Sequence, residues 1–317
     1  MAEIAISIQK VNKHFGDTHA VCDLDLDVPR GSLCGFLGPN GAGKSTTIRM
    51  IMSIIYPDTG SIQVLDSSAL KNKDRIGYLP EERGLYRKMR VGEFLEYVAK
   101  LKGMQISELP AHVREWLNRI DLPDVYRKRC QELSKGMQQK VQFLAAVIHE
   151  PELIILDEPF SGLDPVNAQL MTELIRKMND NGATIIFSTH ILHQAEQLCD
   201  RIFLINKGIK LLDATLEQIR EQFDPRTLLA EPLDGDINLH GIEGVRDVRQ
   251  MHDSPAMEIE LSEGADPQEV MGKILAAGPM RSVELRRLTL DEVFIRQVAA
   301  GVGEQAAEVA REELSHV

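Results

Sequence analysis

The 317-residue chain has little cysteine, no excess of positive charge and no long apolar run, and each shortage argues against a class of protein. Its four cysteines are scattered without a C-x-x-C pair, which argues against a disulfide scaffold and a cysteine zinc site. The net charge of -12 argues against a nucleic-acid partner, because counterion release requires a basic surface. The longest apolar runs fall far short of the ~20 residues that span a bilayer.

The negative charge is concentrated in the last third of the chain. Residues 1–220 contain 27 Lys and Arg against 28 Asp and Glu, which leaves 9 against 20 in residues 221–317. This break in composition, next to the dipeptide Asp224-Pro225, predicts a linker. We therefore expect a large domain at 1–220, a small α+β domain at 221–300 and a tail at 301–317. In the small domain, a hairpin is predicted across residues 252–255, followed by a helix at 267–277, a strand at 281–288 and a helix at 290–298.

A phosphate-binding loop is predicted at residues 38–45, which fit the pattern G-x-x-x-x-G-K-[ST]. Apolar residues 33–37 predict a buried strand entering the loop, and residues 45–52 predict the helix that leaves it. Glycines let successive N–H groups and a helix N-terminus point at one anion. Lys44 is then expected to reach the β and γ phosphates of a nucleotide, and the Ser45 hydroxyl to bind Mg²⁺. The predicted nucleotide contacts of this loop are Gly38, Pro39, Asn40, Gly41, Ala42, Gly43, Lys44, Ser45 and Thr46.

Two carboxylates end the most apolar strand, which is predicted at residues 153–156. Asp157 and Glu158 follow it directly. The carboxyl ends of strands in an α/β sheet line the ligand crevice. Asp157 is therefore expected to hold Mg²⁺ and Glu158 to act on a water molecule, whereas the competing interpretation places both on a surface loop.

Three further features do not by themselves assign a function. Phe15 is either a half-buried turn residue or a ring stacked on an adenine face. Ser134 and Gly136 stand where a helix at 134–148 should begin, and by themselves they indicate an ordinary helix N-cap. His190 and His193 have the i, i+3 spacing of metal ligands, but no further ligand completes a set near them in the sequence.

The remaining patterns place these motifs in one α/β fold. Apolar residues between 21 and 28 alternate with Asp23, Asp25 and Asp27, which predicts a strand with one wet face in an antiparallel edge. Residues 85–150 change to helical spacing and predict a helical insert. The predicted fold class is therefore α/β, a P-loop NTPase core with an antiparallel β edge and a helical insert, plus the small C-terminal α+β domain.

With these motifs in order, residues 1–220 resemble the nucleotide-binding subunit of ABC transporters. The P-loop and the Asp157-Glu158 strand occur in many ATPases, whereas Leu133-Ser134-Lys135-Gly136-Met137 shortly before that strand is particular to this family. Residues 78–86 and 133–136 resemble the export branch that includes sodium-extrusion (NatA-type) and drug-export ATP-binding subunits. Members of that branch also carry a small C-terminal extension, as residues 221–317 suggest.

The resemblance implies a Mg²⁺-dependent ATPase that works as a homodimer around two ATP molecules. Each ATP is bound by the P-loop of one subunit and by Ser134 and Gly136 of the other. Asp164 then lies at the seam of this dimer.

Within one subunit, the resemblance implies a role for each remaining polar residue. Phe15 stacks on adenine, Asp157 holds Mg²⁺ directly or through water, and Glu158 is the general base. His190 contacts the γ-phosphate and Lys44 the β and γ phosphates. The expected catalytic residues are thus Glu158, His190 and Lys44.

Three positions depart from the commonest pattern of the family. Glu81 stands where a Gln is usual, Lys135 where a Gly is usual and Met137 where a Gln is usual. A carboxylate at position 81 adds charge that an amide lacks, so Glu81 joins Ser45 and Asp157 in the predicted metal set. The other two changes leave Ser134 and Gly136 to make the contact with the second subunit's nucleotide.

The implied partner is a separate transmembrane permease, which places the chain in the cytoplasm on the inner face of the cell membrane. Docking is predicted at residues 82–89, where basic residues surround Leu85 and Tyr86. The alternative is a soluble ABC-type ATPase that acts on a non-transport partner such as DNA or ribosomes. Those relatives usually hold two cassettes or a long coiled coil, and neither is evident in this sequence. A regulatory module without turnover would lack the base that Glu158 supplies.

Overall fold

A computed structural model describes residues 3–82, 84–105, 107–223, 226–233, 237–251, 254–286 and 288–302 of the chain. For residues 300–302 it describes the backbone alone. Some predicted features lie outside the described residues. These are Arg83 in the predicted docking loop, the Asp224-Pro225 linker, part of the turn at 252–255 and the tail from residue 303 onward.

An antiparallel three-stranded sheet opens the chain, with strand order β2-β1-β4. Its strands are β1 (Ile4–Phe15), β2 (Thr18–Pro29) and β4 (Thr59–Val64). On β2 the apolar residues Val21, Leu24, Leu26 and Val28 are buried while Asp23, Asp25 and Asp27 are exposed. The predicted antiparallel edge with one wet face is therefore confirmed.

The central sheet has six strands in the order β5-β6-β7-β3-β8-β9. All neighbouring pairs are parallel except β8 and β9, which form the predicted antiparallel hairpin. The strands are β3 (Leu33–Leu37), β5 (Ile76–Leu79), β6 (Leu153–Asp157), β7 (Thr184–Thr189), β8 (Arg201–Asn206) and β9 (Ile209–Thr215). Residues of β3, β6 and β7 are buried throughout, as expected for strands covered on both faces.

Helices surround this sheet, and a helical insert separates β5 from β6, as predicted. The insert contains α2 (Val91–Leu101), α3 (Leu109–Arg119) and α4 (Lys135–Val147). The other helices are α1 (Lys44–Ile51), α5 (Pro165–Asp180) and α6 (Leu192–Leu198).

One apolar core joins the antiparallel sheet, helix α1 and the central sheet. It includes Ile6 of β1, Leu24 of β2, Ile48 of α1, Phe36 of β3 and Phe203 of β8, all of them buried. This packing holds the loop between β3 and α1 against two sheets, so the position of the loop is set by buried side chains on each side of it in the sequence.

The chain divides into two compact units. The first unit comprises the residues up to Leu216 together with those from Phe294 onward. The second unit is Glu217–Val293. Helix α7 (Leu216–Phe223) begins at the division, and α9 (Leu290–Val302) starts in the second unit and continues into the first. The division falls a few residues before the predicted boundary at 220, and it differs from the prediction in assigning the chain from Phe294 to the first unit.

The second unit is an antiparallel sheet with a helix and has its own apolar core. The strand order is β11-β12-β10-β13, with β10 (Thr227–Pro232), β11 (Val245–Gln250), β12 (Met257–Leu261) and β13 (Met280–Leu285), and α8 (Pro267–Ala277) precedes the last strand. Sequence reasoning missed β10, although it lies between two strands in the sheet. Its short apolar run follows Asp224-Pro225, and that dipeptide indicated a linker instead.

Within the described part of the chain, no helix combines the length and the apolar character needed to cross a membrane.

Candidate active site

The predicted phosphate-binding loop connects β3 to α1 and lies close to the backbone of two other segments. At Gly38 a Cβ would lie 2.1 Å from the carbonyl oxygen of Ile205, and at Gly43 it would lie 2.6 Å from that of Ala20. Gly43 also has a φ of 104°, a region that side chains disfavour. Only glycine fits these two positions, and Gly43 leaves the first turn of α1 without a side-chain cap. The N–H groups at the start of α1 are therefore available to an anion.

The loop forms one wall of a cleft with a volume of about 420 Å³. Its other walls come from the start of β2, the β8–β9 turn and the ends of β5 and β6. The described residues that line it are Thr18, His19, Ala20, Asn40, Gly41, Ala42, Gly43, Lys44, Ser45, Thr46, Glu81, Glu158 and Lys207. The fold thus brings together the loop and two of the three predicted acidic residues, in a cavity of the size that small ligands occupy.

Lys44 is the buried cation of this cleft. Its Nζ donates to the carbonyl oxygens of Gly38 at 2.6 Å and Pro39 at 3.1 Å. Burial lowers the pKa of Lys44, and the charges of Glu158, Asp157 and Glu81 oppose that shift. The ammonium is therefore held by carbonyl groups of its own loop, opposite carboxylates.

Asp157 ends β6 and is buried. One carboxylate oxygen accepts a hydrogen bond from the hydroxyl of Ser188 on β7, its partner in the sheet register. Burial raises the pKa of Asp157, and the neighbouring Glu158 raises it further, whereas hydrogen bonds from Ser188 and Ser45 lower it. Asp157 and Ser45, two members of the predicted metal set, therefore lie close enough for Ser45 to lower the pKa of the carboxyl.

Glu158 follows Asp157 with a left-handed backbone, at a φ of 49°. Its Oε1 accepts hydrogen bonds from the backbone N–H of His190 at 3.0 Å and from Nδ1 of the same residue at 2.7 Å. Its Oε2 accepts one from Thr189 Oγ1 at 3.1 Å. The side chain of Glu158 is 12% exposed. Its carboxylate is thus fixed at the cleft by the last residue of β7 and by the residue that follows it.

The predicted metal set consists of two carboxylates and one hydroxyl. Glu81 follows β5 closely, is exposed and lines the cleft together with Ser45. Within the described ranges, no group of three His, Cys, Asp or Glu residues is placed to hold a metal by itself. An all-oxygen set of this kind fits Mg²⁺, which keeps several waters and takes other ligands from a phosphate. His193, the other candidate ligand, contacts Gln197 instead.

At the end of the cleft that β2 forms, the residue that lines the wall is not the one predicted from the sequence. His19 lines it, and its ring stacks on that of His14 with a centroid distance of 3.9 Å. Phe15 is 51% exposed, pairs across the hairpin with Thr18 and is not among the described residues that line the cleft. Stacking of Phe15 on adenine therefore stays a prediction. Sequence reasoning missed His19 and also Lys207, because neither belongs to a motif.

The residues predicted to contact a second subunit's nucleotide are not among the described residues that line the cleft. Ser134 is the N-cap of α4 and accepts a hydrogen bond from the N–H of Met137 at 3.3 Å. Asp164 is the N-cap of α5 and accepts hydrogen bonds from the backbone and side chain of Asn167, at 3.0 and 2.6 Å. Both residues thus have the local capping role, and their contact with a second subunit stays a prediction.

Fold and site together define a P-loop nucleotide-hydrolysing protein. Residues 21–161 match the family described as ABC transporter, and residues 215–298 match the family described as ATP-binding protein DrrA1-3-like, C-terminal domain. The chain is 39% identical to the "Uncharacterized ABC transporter ATP-binding protein YhaQ" of Bacillus subtilis (strain 168) over 296 residues. The aligned residues cover 93% of this chain and 99% of that protein.

Two further comparisons agree. The chain is 36% identical over 225 residues to the "ABC transporter ATP-binding protein NatA" of Bacillus subtilis (strain 168), covering 68% of this chain and 92% of that protein. A solved structure described as "Structure of ATP binding subunit of ABC transporter" is similar with a TM-score of 0.65 and 31% identity, over 69% of this chain and 93% of the other.

The chain therefore belongs to the ATP-binding subunits of ABC transporters, a family that binds and hydrolyses ATP and works with a separate transmembrane component. The resemblance to NatA-type and drug-export subunits is confirmed.

Proposed function

We propose that this subunit hydrolyses Mg-ATP with Glu158 as the general base and so drives export through a separate permease. The observation that carries the proposal is the fixed carboxylate of Glu158. It lines the same cleft as Lys44 and is held there by hydrogen bonds of 2.7 to 3.1 Å from His190 and Thr189. A carboxylate held in this way accepts a proton from a water molecule that attacks the γ-phosphate.

Lys44 and the loop bind the phosphates. The ammonium exchanges its two carbonyl partners for oxygens of the β and γ phosphates, while the N–H groups at the start of α1 contact the same oxygens. Both interactions strengthen as negative charge develops on the transferred group, which lowers the barrier to hydrolysis.

Ser45, Glu81 and Asp157 hold Mg²⁺ in this proposal. The metal, when bound, neutralises phosphate charge. Burial of Asp157 and its hydrogen bond from Ser188 fix the carboxylate in place. Glu81 is exposed on a loop, so it is the member of the set whose position depends most on neighbouring segments.

A second copy of the chain completes each site. Ser134, Gly136 and Asp164 are not among the described residues that line the cleft, although the family resemblance assigns them to the nucleotide or to the dimer seam. A head-to-tail homodimer places Ser134 and Gly136 of the partner over the γ-phosphate, where the start of α4 favours negative charge. Phe15 supplies the stacking face for adenine, and His190 reaches the γ-phosphate through Nε2 while Nδ1 holds Glu158.

Export is the proposed direction because relatives of the chain are named for export or drug resistance, among them "Nod factor export ATP-binding protein I" and "Daunorubicin resistance ATP-binding protein DrrA3". The C-terminal region matches the DrrA1-3-like family, and the NatA relative belongs to the branch identified from the sequence. The subunit is then cytoplasmic and bound through its permease to the inner face of the cell membrane, and the permease determines the substrate. A net charge of -12 supports a partner other than nucleic acid.

The test is phosphate release by the purified chain with ATP and Mg²⁺, and with EDTA in place of the metal. We expect turnover only with Mg²⁺, and higher turnover when the permease is present in vesicles. Turnover that is equal in EDTA would contradict the metal assignment, and no turnover under any condition would contradict the proposed function.

A further inference from the structure

Helix α4 carries buried amide side chains that contact the two loops bearing Glu81 and Glu158. Gln142 is 6% exposed, and its Nε2 donates to the carbonyl oxygens of Glu82 at 3.1 Å and Pro80 at 3.4 Å. Those two carbonyl groups stand on either side of Glu81 in the chain. Gln139, almost one turn earlier, donates from Nε2 to the carbonyl oxygen of Pro159 at 3.0 Å, directly after Glu158.

The amide of Gln142 forms its hydrogen bonds as a donor and not as an acceptor. Both N–H bonds are directed at carbonyl oxygens, which fixes the orientation of the amide. Its Oε1 is buried and has no hydrogen-bond partner within the described residues. An unpaired buried acceptor is unfavourable, so packing alone favours an apolar residue of similar volume at this position.

We infer that Gln142 is a positioning residue for the metal site, acting through Glu81. Glu81 is exposed and follows the last residue of β5 by two positions, so its carboxylate is placed by the course of its loop. Gln142 holds that loop from both sides of Glu81. It does so from α4, whose N-cap is Ser134, about 12 Å away along the helix axis at 1.5 Å per residue. The inference rests on the proposed function, in which Glu81 binds Mg²⁺ and Ser134 faces the second subunit.

The same helix offers matched controls. Gln138 is half-buried and donates from Nε2 to the carbonyl oxygen of Leu133 at 2.9 Å, which belongs to neither acidic loop. Gln139 contacts the other loop. Substitution of each glutamine by methionine keeps the approximate volume and removes the donors.

The experiment measures Mn²⁺ affinity by electron paramagnetic resonance in the full chain with a non-hydrolysable ATP analogue. We expect Gln142→Met to weaken Mn²⁺ binding about tenfold, as the loss of a residue that orients a metal ligand does. Affinity for the analogue in EDTA should stay within about twofold of wild type, since the hydrogen bonds of Gln142 go to the Glu81 loop and not to the P-loop. Gln138→Met and Gln139→Met should leave Mn²⁺ affinity unchanged, and Gln139→Met should lower kcat through Glu158.

A double variant separates positioning from general damage. In a Glu81→Gln background, Gln142→Met should have little further effect on Mn²⁺ affinity, because its route to the metal is already removed. Additive losses, an unchanged Mn²⁺ affinity in Gln142→Met or equal losses in Gln138→Met would overturn the inference. Absence of ATP turnover in the wild type would contradict the proposed function alone, because Mn²⁺ affinity is measured without turnover.

Discussion

Glu158 Oε1 and His190 Nδ1 are joined by a hydrogen bond of 2.7 Å. A carboxylate only accepts, so Nδ1 carries the proton of this bond and Nε2 takes no part in it. The backbone N–H of His190 contacts the same oxygen at 3.0 Å. These bonds link the ends of β6 and β7 and hold the carboxylate in one orientation, which is the condition for a general base.

Glu158→Gln should slow ATP hydrolysis by roughly 10²–10⁴ while ATP binding survives, because the amide keeps the shape and cannot accept a proton. Loss of one negative charge beside a polyanion should also leave two ATP molecules trapped between paired subunits. Phosphate release measures the first effect, and a sizing column run in ATP and in ADP measures the second.

The matched control is Glu173→Gln, which changes an exposed carboxylate on α5. It should hydrolyse ATP at the wild-type rate and show no ATP-dependent dimer beyond that of wild type. Near-normal turnover in Glu158→Gln would make His190 the next candidate for the base.

Lys44→Ala should reduce hydrolysis to background, a loss of at least about 10² in kcat, because it removes the side-chain cation that stabilises charge on the β and γ phosphates. Lys177→Ala, at an exposed position on α5, is the control and should be neutral. Titration with a fluorescent ATP analogue separates binding from turnover. Undiminished hydrolysis in Lys44→Ala would remove this residue from the site.

Asp157→Asn should abolish turnover and yet stabilise the fold at neutral pH by about 0.5–2 kcal/mol, the usual gain when a strained functional group is replaced. The reason is the sign of its pKa shift. Burial raises the pKa of Asp157, so the folded state favours the protonated form, and its ionisation costs stability as pH rises.

The pH dependence of the stability gained in Asp157→Asn tests whether the pKa of Asp157 is raised in the folded state. Thermal unfolding of wild type and Asp157→Asn should differ most at neutral pH, and the difference should shrink as pH falls toward the raised pKa of Asp157. A variant that is less stable than wild type at neutral pH would contradict the assignment.

A cysteine at Tyr86 should cross-link to the permease. The ring of Tyr86 is 54% exposed and makes edge contacts with Phe94 and Tyr97 at centroid distances of 5.8 and 6.1 Å. Phe94 is buried, whereas Tyr97 is 43% exposed, and exposed aromatic rings such as those of Tyr86 and Tyr97 are typical of a partner surface. A cysteine at Leu275, exposed on α8, is the control. Cross-links from Leu275 alone would contradict docking at residues 82–89.

A chain that ends at Arg220 should still bind ATP, because the described residues that line the cleft all lie between Thr18 and Lys207. It should also unfold at a lower temperature than the full chain, by several degrees. Phe294 and Val298 are buried and belong to the first unit, so the truncation removes part of its core. Nucleotide titration and thermal unfolding measure the two effects, and loss of ATP binding would contradict the prediction.

Short-range patterns predicted the motifs because their chemistry depends on consecutive residues. Gly38 to Gly43 form a loop between β3 and α1, and Lys44 and Ser45 begin the helix. That local geometry suffices to predict phosphate binding. The alternation of Asp23, Asp25 and Asp27 with apolar residues likewise predicts a strand with one wet face. In contrast, β10 was missed because a strand with a neighbour on each side depends on partners far away in the chain, and six residues hold little periodicity.

The sequence by itself thus determined the class of protein, the P-loop, the acidic strand end and the helical insert. Only the tertiary structure decided which side chains meet. The sheet order places Leu37 beside Thr189 and Asp157 beside Ser188, and these pairs are far apart in the chain. The contact of Glu158 with His190 follows from that register, whereas the position of His19 in the cleft and the hold of Gln142 on the Glu81 loop depend on where β2 and α4 lie. Register is set by burial over whole strands, so no local pattern of residues encodes it.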